Sequence, residues 1–507
     1  MDIFANILIG LETAISPVNL LYCFIGVFLG TFFGVLPGIG SLAAISMILP
    51  VTFYLEPTTA LVMLGGVYYG AEYGGSTASI LLNLPGTPSN AVTCIDGYPM
   101  AQKGKAGLAL FMTTIASYVG GTLGIIALFV LSPIIVAWAL VFGPAEYFAI
   151  MILGLVAAAT VTQESPAKGL AMVCLGLLLG CTGMDLETGI PRFEFDQIEL
   201  YEGFSFITIA MGLFGVSEII FSVRTSLGKS FNQAISFRSM LPSRDEWRRS
   251  INPMLRGAGV GGFFGALPGT GPSIATFVGY AIEKRVSDHP EEFGKGAIEG
   301  IMSPESANNA AVQTAFIPTL TLGIPGSASM AVMMGALLIH GIQPGPQLMG
   351  DRPDIFWGVA MSFWIGNIFL LILNIPLIGL WVRILKIPYH LLYPAVIVLI
   401  CVGVYSFRGS GFDIAMVLMF GVLGFVLRSL RFEMAPLLIG FILGPMVEDN
   451  LRRAMLIFRG DFWAMVERPI AGSLLFLTAL LLIYTAYQIF FPKSKSQSKR
   501  VSTDESC

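Results

Sequence analysis

Apolar residues gather along this chain in long blocks separated by short polar stretches. In the first half the blocks fall near 18–36, 41–55, 58–70, 108–140, 145–162, 168–184 and 204–223. After a polar interval they resume near 254–282, 312–342, 355–380, 391–407, 412–427, 436–447 and 471–491. A hydrocarbon layer of ~30 Å is crossed by ~20 apolar residues in a helix. The blocks therefore predict an all-α polytopic membrane protein, although several are too short to cross alone. Residues 1–223 read as a first transmembrane unit, 224–253 as a basic linker, 254–492 as a second unit and 493–507 as a polar, basic tail. The stretch from Met1 to Pro17 has Asp2 and Glu12 but no Lys or Arg, unlike the positive start of a cleaved signal, so the first span is expected to be retained.

The two units share sequence. Phe32-Phe33-Gly34-Val35-Leu36-Pro37-Gly38-Ile39-Gly40 returns as Phe263-Phe264-Gly265-Ala266-Leu267-Pro268-Gly269-Thr270-Gly271, identical at seven of nine positions. In the same order, Leu82-Asn83-Leu84-Pro85-Gly86-Thr87-Pro88-Ser89 pairs with Leu322-Gly323-Ile324-Pro325-Gly326-Ser327-Ala328-Ser329. Leu-Pro-Gly by itself marks only helix ends, but two blocks in one order point to duplication. Corresponding apolar segments interrupted by Gly and Pro in two halves are a sequence pointer to a transporter binding site.

The stretch from Tyr73 to Asn90 is apolar enough to enter a bilayer yet full of small residues, hydroxyls and amides. Pro85 and Pro88 lack an N–H, and Gly86 is read here as a position for φ > 0, so the helix is expected to break; Gly326 takes that role in the second half. Broken backbone at membrane depth is tolerated where it is buried in protein or lines an aqueous cavity. The expected form is a re-entrant hairpin in each half, with freed N–H groups and helix N-termini offered to a carboxylate. Neutral donors suit a carrier, which must release what it binds, and no Arg or Lys lies in either motif. The residues expected to bind substrate are Gly38, Gly40, Ser76, Thr77, Asn83, Gly86, Thr87 and Ser89 in the first half. In the second half they are Gly269, Thr270, Gly271, Ser306, Asn308, Asn309, Gly326 and Ser327. Ser76, Thr77, Ser306 and Thr314 are candidates to coordinate a coupling Na⁺, and the bordering acids Glu72, Asp96 and Glu305 to carry protons or an ion. For any one hydroxyl, close helix packing is an equally good account, and the acids also suit a wet membrane surface.

Composition narrows the class. Apolar residues make up 55% of the chain and charged residues 12%, where a soluble protein has about 25% charged. The net charge of −4, without a dense basic face, excludes nucleic acid as the partner. Cys23, Cys94, Cys174, Cys181, Cys401 and Cys507 lack the spacing of a zinc site or disulfide framework. His289, His340 and His390 form no ligand spacing, so no metal site or cofactor is expected. There is no Walker-type phosphate loop, so transport would run on an ion gradient, Na⁺ or H⁺. A membrane enzyme would need a nucleophile with a base, and no His stands near either motif. A channel remains the alternative class.

Lys/Arg distribution sets orientation. The interval with Arg224, Lys229, Arg238, Arg244, Arg248, Arg249 and Arg256 reads as cytoplasmic, and the acidic loop Asp185 to Glu202 as external. The tail with Lys493, Lys495, Lys499 and Arg500 also reads as cytoplasmic, implying an even number of crossings in the second half, whereas inverted repeats need an odd number.

At these motifs the sequence resembles the large membrane subunit of the tripartite tricarboxylate transporter family. The likeness rests on Gly34 to Gly40; on Tyr73 to Asn90 with Asp96-Gly97-Tyr98-Pro99 and Lys103-Gly104-Lys105-Ala106-Gly107; on Ser306 to Ala311 and Pro318 to Ser327; and on His340-Gly341-Ile342-Gln343-Pro344-Gly345-Pro346. It spans about Leu20 to Glu448. The resemblance implies a multi-pass bacterial inner-membrane protein that works with a small membrane subunit and a periplasmic solute-binding protein. It further implies uptake of citrate-like or other small carboxylates on an ion or proton gradient. A binding-protein-independent carboxylate carrier or an anion channel is the alternative. An elevator motion follows by fold-level analogy with similar ion-coupled carriers.

Overall fold

The computed structural model describes residues 3–160, 165–185, 188–224, 237–385 and 389–490. The chain is helical nearly throughout. Among the described residues the exception to the all-α expectation is a two-residue antiparallel ladder pairing Gly183–Met184 with Pro191–Arg192. It folds the acidic loop back on itself, helped by Gly189 at φ 68°, a turn that apolar patterning does not register. Among the described residues, five helical stretches are long and apolar enough to cross a membrane: Pro17–Val35, Thr93–Ala139, Pro353–Asn374, Gly411–Ser429 and Pro469–Ile489. Other blocks are shorter apolar helices, such as Gly40–Thr52, Pro144–Thr160 and Pro166–Gly180, or parts of longer helices with more polar residues, such as Pro57–Leu82 and Ala435–Ile457. The block at 254–282 is two helices, Arg244–Gly265 and Gly271–Val286, and that at 312–342 includes Phe316–Leu322 and Ala328–Ile339.

Two helices form the centre. Pro57–Leu82 is buried from Thr58 to its end, and Glu299–Thr314 is buried at every residue. A helix covered all round is ordinarily apolar all round; these two instead hold Glu72, Ser76, Thr77, Glu305, Asn308 and Asn309 inside the protein. Small residues allow this close covering. A Cβ on Gly26, Gly30 or Gly34 of Pro17–Val35 would stand 2.2, 2.4 and 2.2 Å from the carbonyls of Met63, Val67 and Ala71. In the second half, a Cβ on Gly257, Gly261 or Gly265 would stand 2.2, 2.1 and 2.4 Å from those of Ser303, Ala307 and Ala311. Gly34 and Gly265 are the third residues of the two matching motifs, so the same glycine makes the same kind of contact in each half. Gly120 closes an adjoining face of the Glu305 helix: a Cβ there would stand 2.1 Å from the Ser306 carbonyl.

The motif turns are also alike. Pro17–Val35 is separated from Gly40–Thr52 by a turn with Gly38 at φ 91° and Gly40 at φ 70°. The second-half turn has Gly269 at 81° and Gly271 at 62°. L side chains rarely adopt these angles. At the second pair of breaks the left-handed residues are Asn83, φ 58°, and Gly323, φ 69°, the C-caps of Pro57–Leu82 and Phe316–Leu322. The expectation of positive φ at Gly86 and Gly326 is thus corrected: helix termination, rather than the Pro-Gly step, requires the left-handed residue.

Part of the interval read as a linker is helix. Ser243 and Glu246 form a capping box, and Arg244 begins a helix that runs without interruption to Gly265. Residues 225–236 of that interval and the basic tail, 493–507, lie outside the described residues.

Candidate functional site

Glu72 and Glu305 are 3% and 1% exposed. Removing a carboxylate from water costs several kcal/mol unless partners replace the lost solvation. Here hydroxyls and amides replace it, and the ion pairs of the described residues lie elsewhere. Glu72 Oε1 accepts from Ser41 Oγ at 2.8 Å. Its Oε2 accepts from Thr87 Oγ1 at 2.9 Å, from Ser89 Oγ and from Asn308 Nδ2 at 3.1 Å. Glu305 Oε2 accepts from Ser76 Oγ at 2.7 Å and Ser117 Oγ at 3.2 Å. Its Oε1 accepts from Thr93 Oγ1 and from Asn90 Nδ2 at 3.4 Å.

The two shells are joined. Asn90 Oδ1 accepts from Thr87 Oγ1 at 2.6 Å, and Asn90 Nδ2 donates to Ser76 Oγ at 3.1 Å. A continuous polar path therefore runs from Glu72 through Thr87, Asn90 and Ser76 to Glu305. Each shell also crosses between the halves: Glu72 takes Asn308 from the second, and Glu305 takes Ser76, Asn90, Thr93 and Ser117 from the first. Beside Glu305, Tyr73, Ser76, Thr77, Thr113, Thr114 and Ser117 help line a cavity of about 10 Å³, near the room a single water needs.

The helix breaks carry these groups. After Asn83 the chain turns into a short 3-10 helix at Pro88–Ala91, which brings Thr87, Ser89 and Asn90 back onto their own helix. Gly86 permits this fold-back by close approach: a Cβ there would meet the Gly34 carbonyl at 2.2 Å and Gly75 Cα at 2.4 Å. In the second half Gly269 N–H donates to the Gly326 carbonyl at 3.1 Å, and Gly271 faces Ser327. Each Leu-Pro-Gly turn thus stands against the Pro-Gly break of its own half, since Gly40 likewise faces the Gly86 carbonyl.

Of the residues expected from sequence, Ser76, Thr87, Ser89, Asn308, Glu72 and Glu305 come together, and Thr77 lines the adjoining cavity. Others are engaged elsewhere. Asn83 is exposed and caps its helix. Ser306 Oγ donates to the Met254 carbonyl at 2.7 Å, and Thr314 Oγ1 to the Ala310 carbonyl at 3.0 Å. Thr270 Oγ1 bonds the carbonyls of Phe264 and Leu267, and Ser327 N-caps Ala328–Ile339 through Met330 N–H. Asn309 Nδ2 bonds the Glu305 carbonyl one turn back. Asp96 stands apart from the network. Its Oδ1 accepts from the N–H groups of Gly294, Gly296 and Ala297 at 2.8, 2.8 and 2.9 Å, and its Oδ2 from Tyr280 at 2.9 Å.

Sequence reasoning missed Ser41, Asn90, Thr93 and Ser117 as site residues. Ser117 had a signal, since Thr113 and Ser117 place two hydroxyls on one face of an otherwise apolar helix. Thr93 follows Asn90 by one helical turn. Ser41 gave none beyond following the motif glycine.

A family model described as the tripartite tricarboxylate transporter TctA family matches residues 20–439. A protein of Agrobacterium vitis described as an uncharacterized 52.8 kDa protein in the TAR-I ttuC' 3'region is 49% identical over 475 residues, 94% of each chain. A second, described as an uncharacterized protein in the TAR-II ttuC' 3'region of the same organism, is 48% identical over 245 residues, 48% of this chain and all of its own. No solved structure matches the chain.

Proposed function

The chain belongs to the tripartite tricarboxylate transporter TctA family, and from that premise we propose that it is the large transmembrane subunit of a secondary carrier importing small organic carboxylates across the bacterial inner membrane. In this reading a periplasmic binding protein delivers the solute, a small membrane subunit completes the assembly, and an inward Na⁺ or H⁺ gradient drives uptake. The two halves are related repeats, the Gly/Pro breaks form re-entrant hairpins, and the hairpins move together in an elevator-like step.

The observation that carries the reading is the linked pair of glutamates buried in the two central helices, with partners supplied by the break after Asn83. Ionisable groups inside a membrane protein are costly and mark ion or substrate paths. The matching glycine contacts of the two halves support the repeat relation, and the family supports the substrate class.

The pair also gives a physical basis for coupling. Two unneutralised carboxylates repel an incoming carboxylate, by about 4 kcal/mol per pair of unit charges at 4 Å under an effective dielectric constant of 20. A cation or proton on the glutamates removes that repulsion, so solute binds well only after the driving ion. The N-capped start of Ala328–Ile339 and the backbone at 84–90 supply neutral donors for the solute.

The test is uptake of a labelled carboxylate panel into cells making this chain, with and without the two partners, under imposed Na⁺ and proton gradients. Saturable accumulation that requires partners and one gradient is expected. Equilibration without accumulation would replace the carrier by a channel, and uptake by the chain alone would remove the binding-protein requirement.

A further inference from the structure

The Glu72 and Glu305 shells differ in one respect that hydrogen bonding does not resolve. Around Glu305 every contact is a donor meeting a carboxylate oxygen. Around Glu72 an acceptor of the shell itself is left over: Asn308 is 0% exposed, its Nδ2 touches Glu72 Oε2 at 3.1 Å, and its Oδ1 has no partner; Asn309 Oδ1 and Gln313 Oε1 on the same helix also lack one, but neither residue donates to a carboxylate of the pair. Leaving a buried acceptor unsatisfied costs about 1–3 kcal/mol.

There is also a shortage of protons. Thr87 has one hydroxyl hydrogen but two acceptors in range, Glu72 Oε2 at 2.9 Å and Asn90 Oδ1 at 2.6 Å. Ser89 Oγ lies 2.7 Å from the same Thr87 oxygen, and its one hydrogen is also sought by Glu72. Which end of an amide is oxygen is an assignment, so the alternative for Asn90 matters. Reversing it would satisfy Thr87 but turn an oxygen toward Glu305 Oε1, moving the shortage without removing it.

Oxygens crowded together with too few hydrogens between them are what a hard cation binds. The ligand types available are carboxylate, hydroxyl and amide carbonyl, with no nitrogen base or sulfur. The ligand set holds one carboxylate, which balances one positive charge, while Glu305 keeps its own complete shell of donors. We infer that Glu72, Ser41, Thr87, Ser89 and Asn308 form a binding site for one dehydrated monovalent cation of the sodium class, with Asn308 Oδ1 as a ligand donated by the second half. The inference rests on the carrier reading only for its purpose; the site itself is defined by these oxygens. Because its ligands come from the Gly40–Thr52 helix, the Glu72 helix, the 84–90 break and the Glu305 helix, an ion there ties the two halves together before solute arrives.

The experiment is binding of ²²Na⁺ to the full-length chain purified in detergent, without carboxylate or partners, at constant ionic strength set with choline. Saturable binding is expected, together with a rise in melting temperature on replacing choline by Na⁺. Glu72→Gln should weaken Na⁺ by at least about a hundredfold, since it removes the only charge, and Asn308→Ala by about tenfold. Should Glu72→Gln not fold, Asn308→Ala and Ser89→Ala carry the test, and unchanged affinity in both would overturn the site. Absence of Na⁺ binding, with a melting temperature that responds to pH and loses that response in Glu72→Gln, would make Glu72 a proton site instead. Na⁺ binding without carboxylate uptake would remove the carrier reading and leave the site, whereas uptake by a chain that binds no Na⁺ would do the reverse.

Discussion

Asn83 and Gly86 stand three residues apart at one helix break and are constrained by different physics. Asn83 holds a left-handed conformation with its side chain in the open. A non-glycine residue there costs about 1–2 kcal/mol, less for Asn. Asn83→Gly is therefore expected to keep the melting temperature of the purified protein, as Gly323 does in the matching position, and Asn83→Val to lower it by the equivalent of about 1–2 kcal/mol. Equal melting of both variants would refute the capping role. Gly86 instead has no space: its Cβ would meet backbone, not a side-chain tip that can move. Gly86→Ala should abolish folded protein in the membrane, scored by fluorescent gel filtration. Gly326→Ala should leave most of it, since the nearest atoms there are at 3.4 and 3.5 Å. Loss of both to the same degree would show that the two breaks are packed alike after all.

At the level of the helix, glycine placement decides which faces approach. Gly257, Gly261 and Gly265 recur every four residues and let Arg244–Gly265 lie backbone to backbone on the Glu305 helix, as small residues do in membrane interiors. Gly259, in the same helix, meets nothing within 4 Å. Gly261→Leu is expected to separate the pair and cost several kcal/mol through overpacking against the Ala307 carbonyl. Gly259→Ala should be neutral or stabilise by up to about 1 kcal/mol, the ordinary helix preference for alanine. Thermal melting of both variants in detergent checks this, and similar loss in both would mean that helix propensity, not interhelical distance, governs the site. The same device recurs between the halves: a Cβ on Gly120 or Gly124 would stand 2.1 and 2.7 Å from the Ser306 and Ala310 carbonyls of the helix that carries Glu305 and Asn308.

Across the whole molecule, polar clamps at the ends of the central helices tie the first half to the second, through Asp96 and Lys105, and brace the second half within itself, through Arg249. Asp96, from the first half, gathers three backbone N–H groups of the 294–297 loop in the second. Lys105 pairs with Glu246 at 2.9 Å. Arg249 pairs with Glu299 at 2.7 Å and with Glu292 at 2.6 Å. The Arg249 guanidinium holds the Glu292 carboxyl below the usual glutamate range, and Arg249 is itself raised by hydrogen bonds to Glu299 and Glu292. A carboxylate whose folded-state value is depressed stabilises above its unfolded value and loses that contribution as pH falls through the folded one. The melting-temperature advantage of the wild type over Arg249→Met should therefore be present near about pH 6 and shrink toward about pH 3. An advantage of the same size at both pH values would show that Arg249 acts through packing instead.

Much of this was legible in the chain itself. Long apolar blocks determine a helical membrane protein, because hydrocarbon leaves the backbone few other solutions. The matching Phe-Phe-Gly-x-Leu-Pro-Gly motifs located the turns, since Pro and Gly restrict or free the backbone locally. Glu72, Ser76, Thr87, Ser89, Glu305 and Asn308 could be picked out as polar residues that an apolar segment does not otherwise contain. What the chain could not disclose was direction and partnership. Ser306 and Asn308 are two residues apart, yet Ser306 turns to the Met254 carbonyl and Asn308 to Glu72, a choice made by helix rotation against three neighbours. Asp96 and Glu305 look equivalent in sequence, yet backbone amides surround one and hydroxyls the other. Only the tertiary structure brings Glu72 to Asn308 and Glu305 to Ser76, because each shell is completed by a residue more than two hundred positions away, on helices that meet across the halves where Gly120 stands against the Ser306 carbonyl.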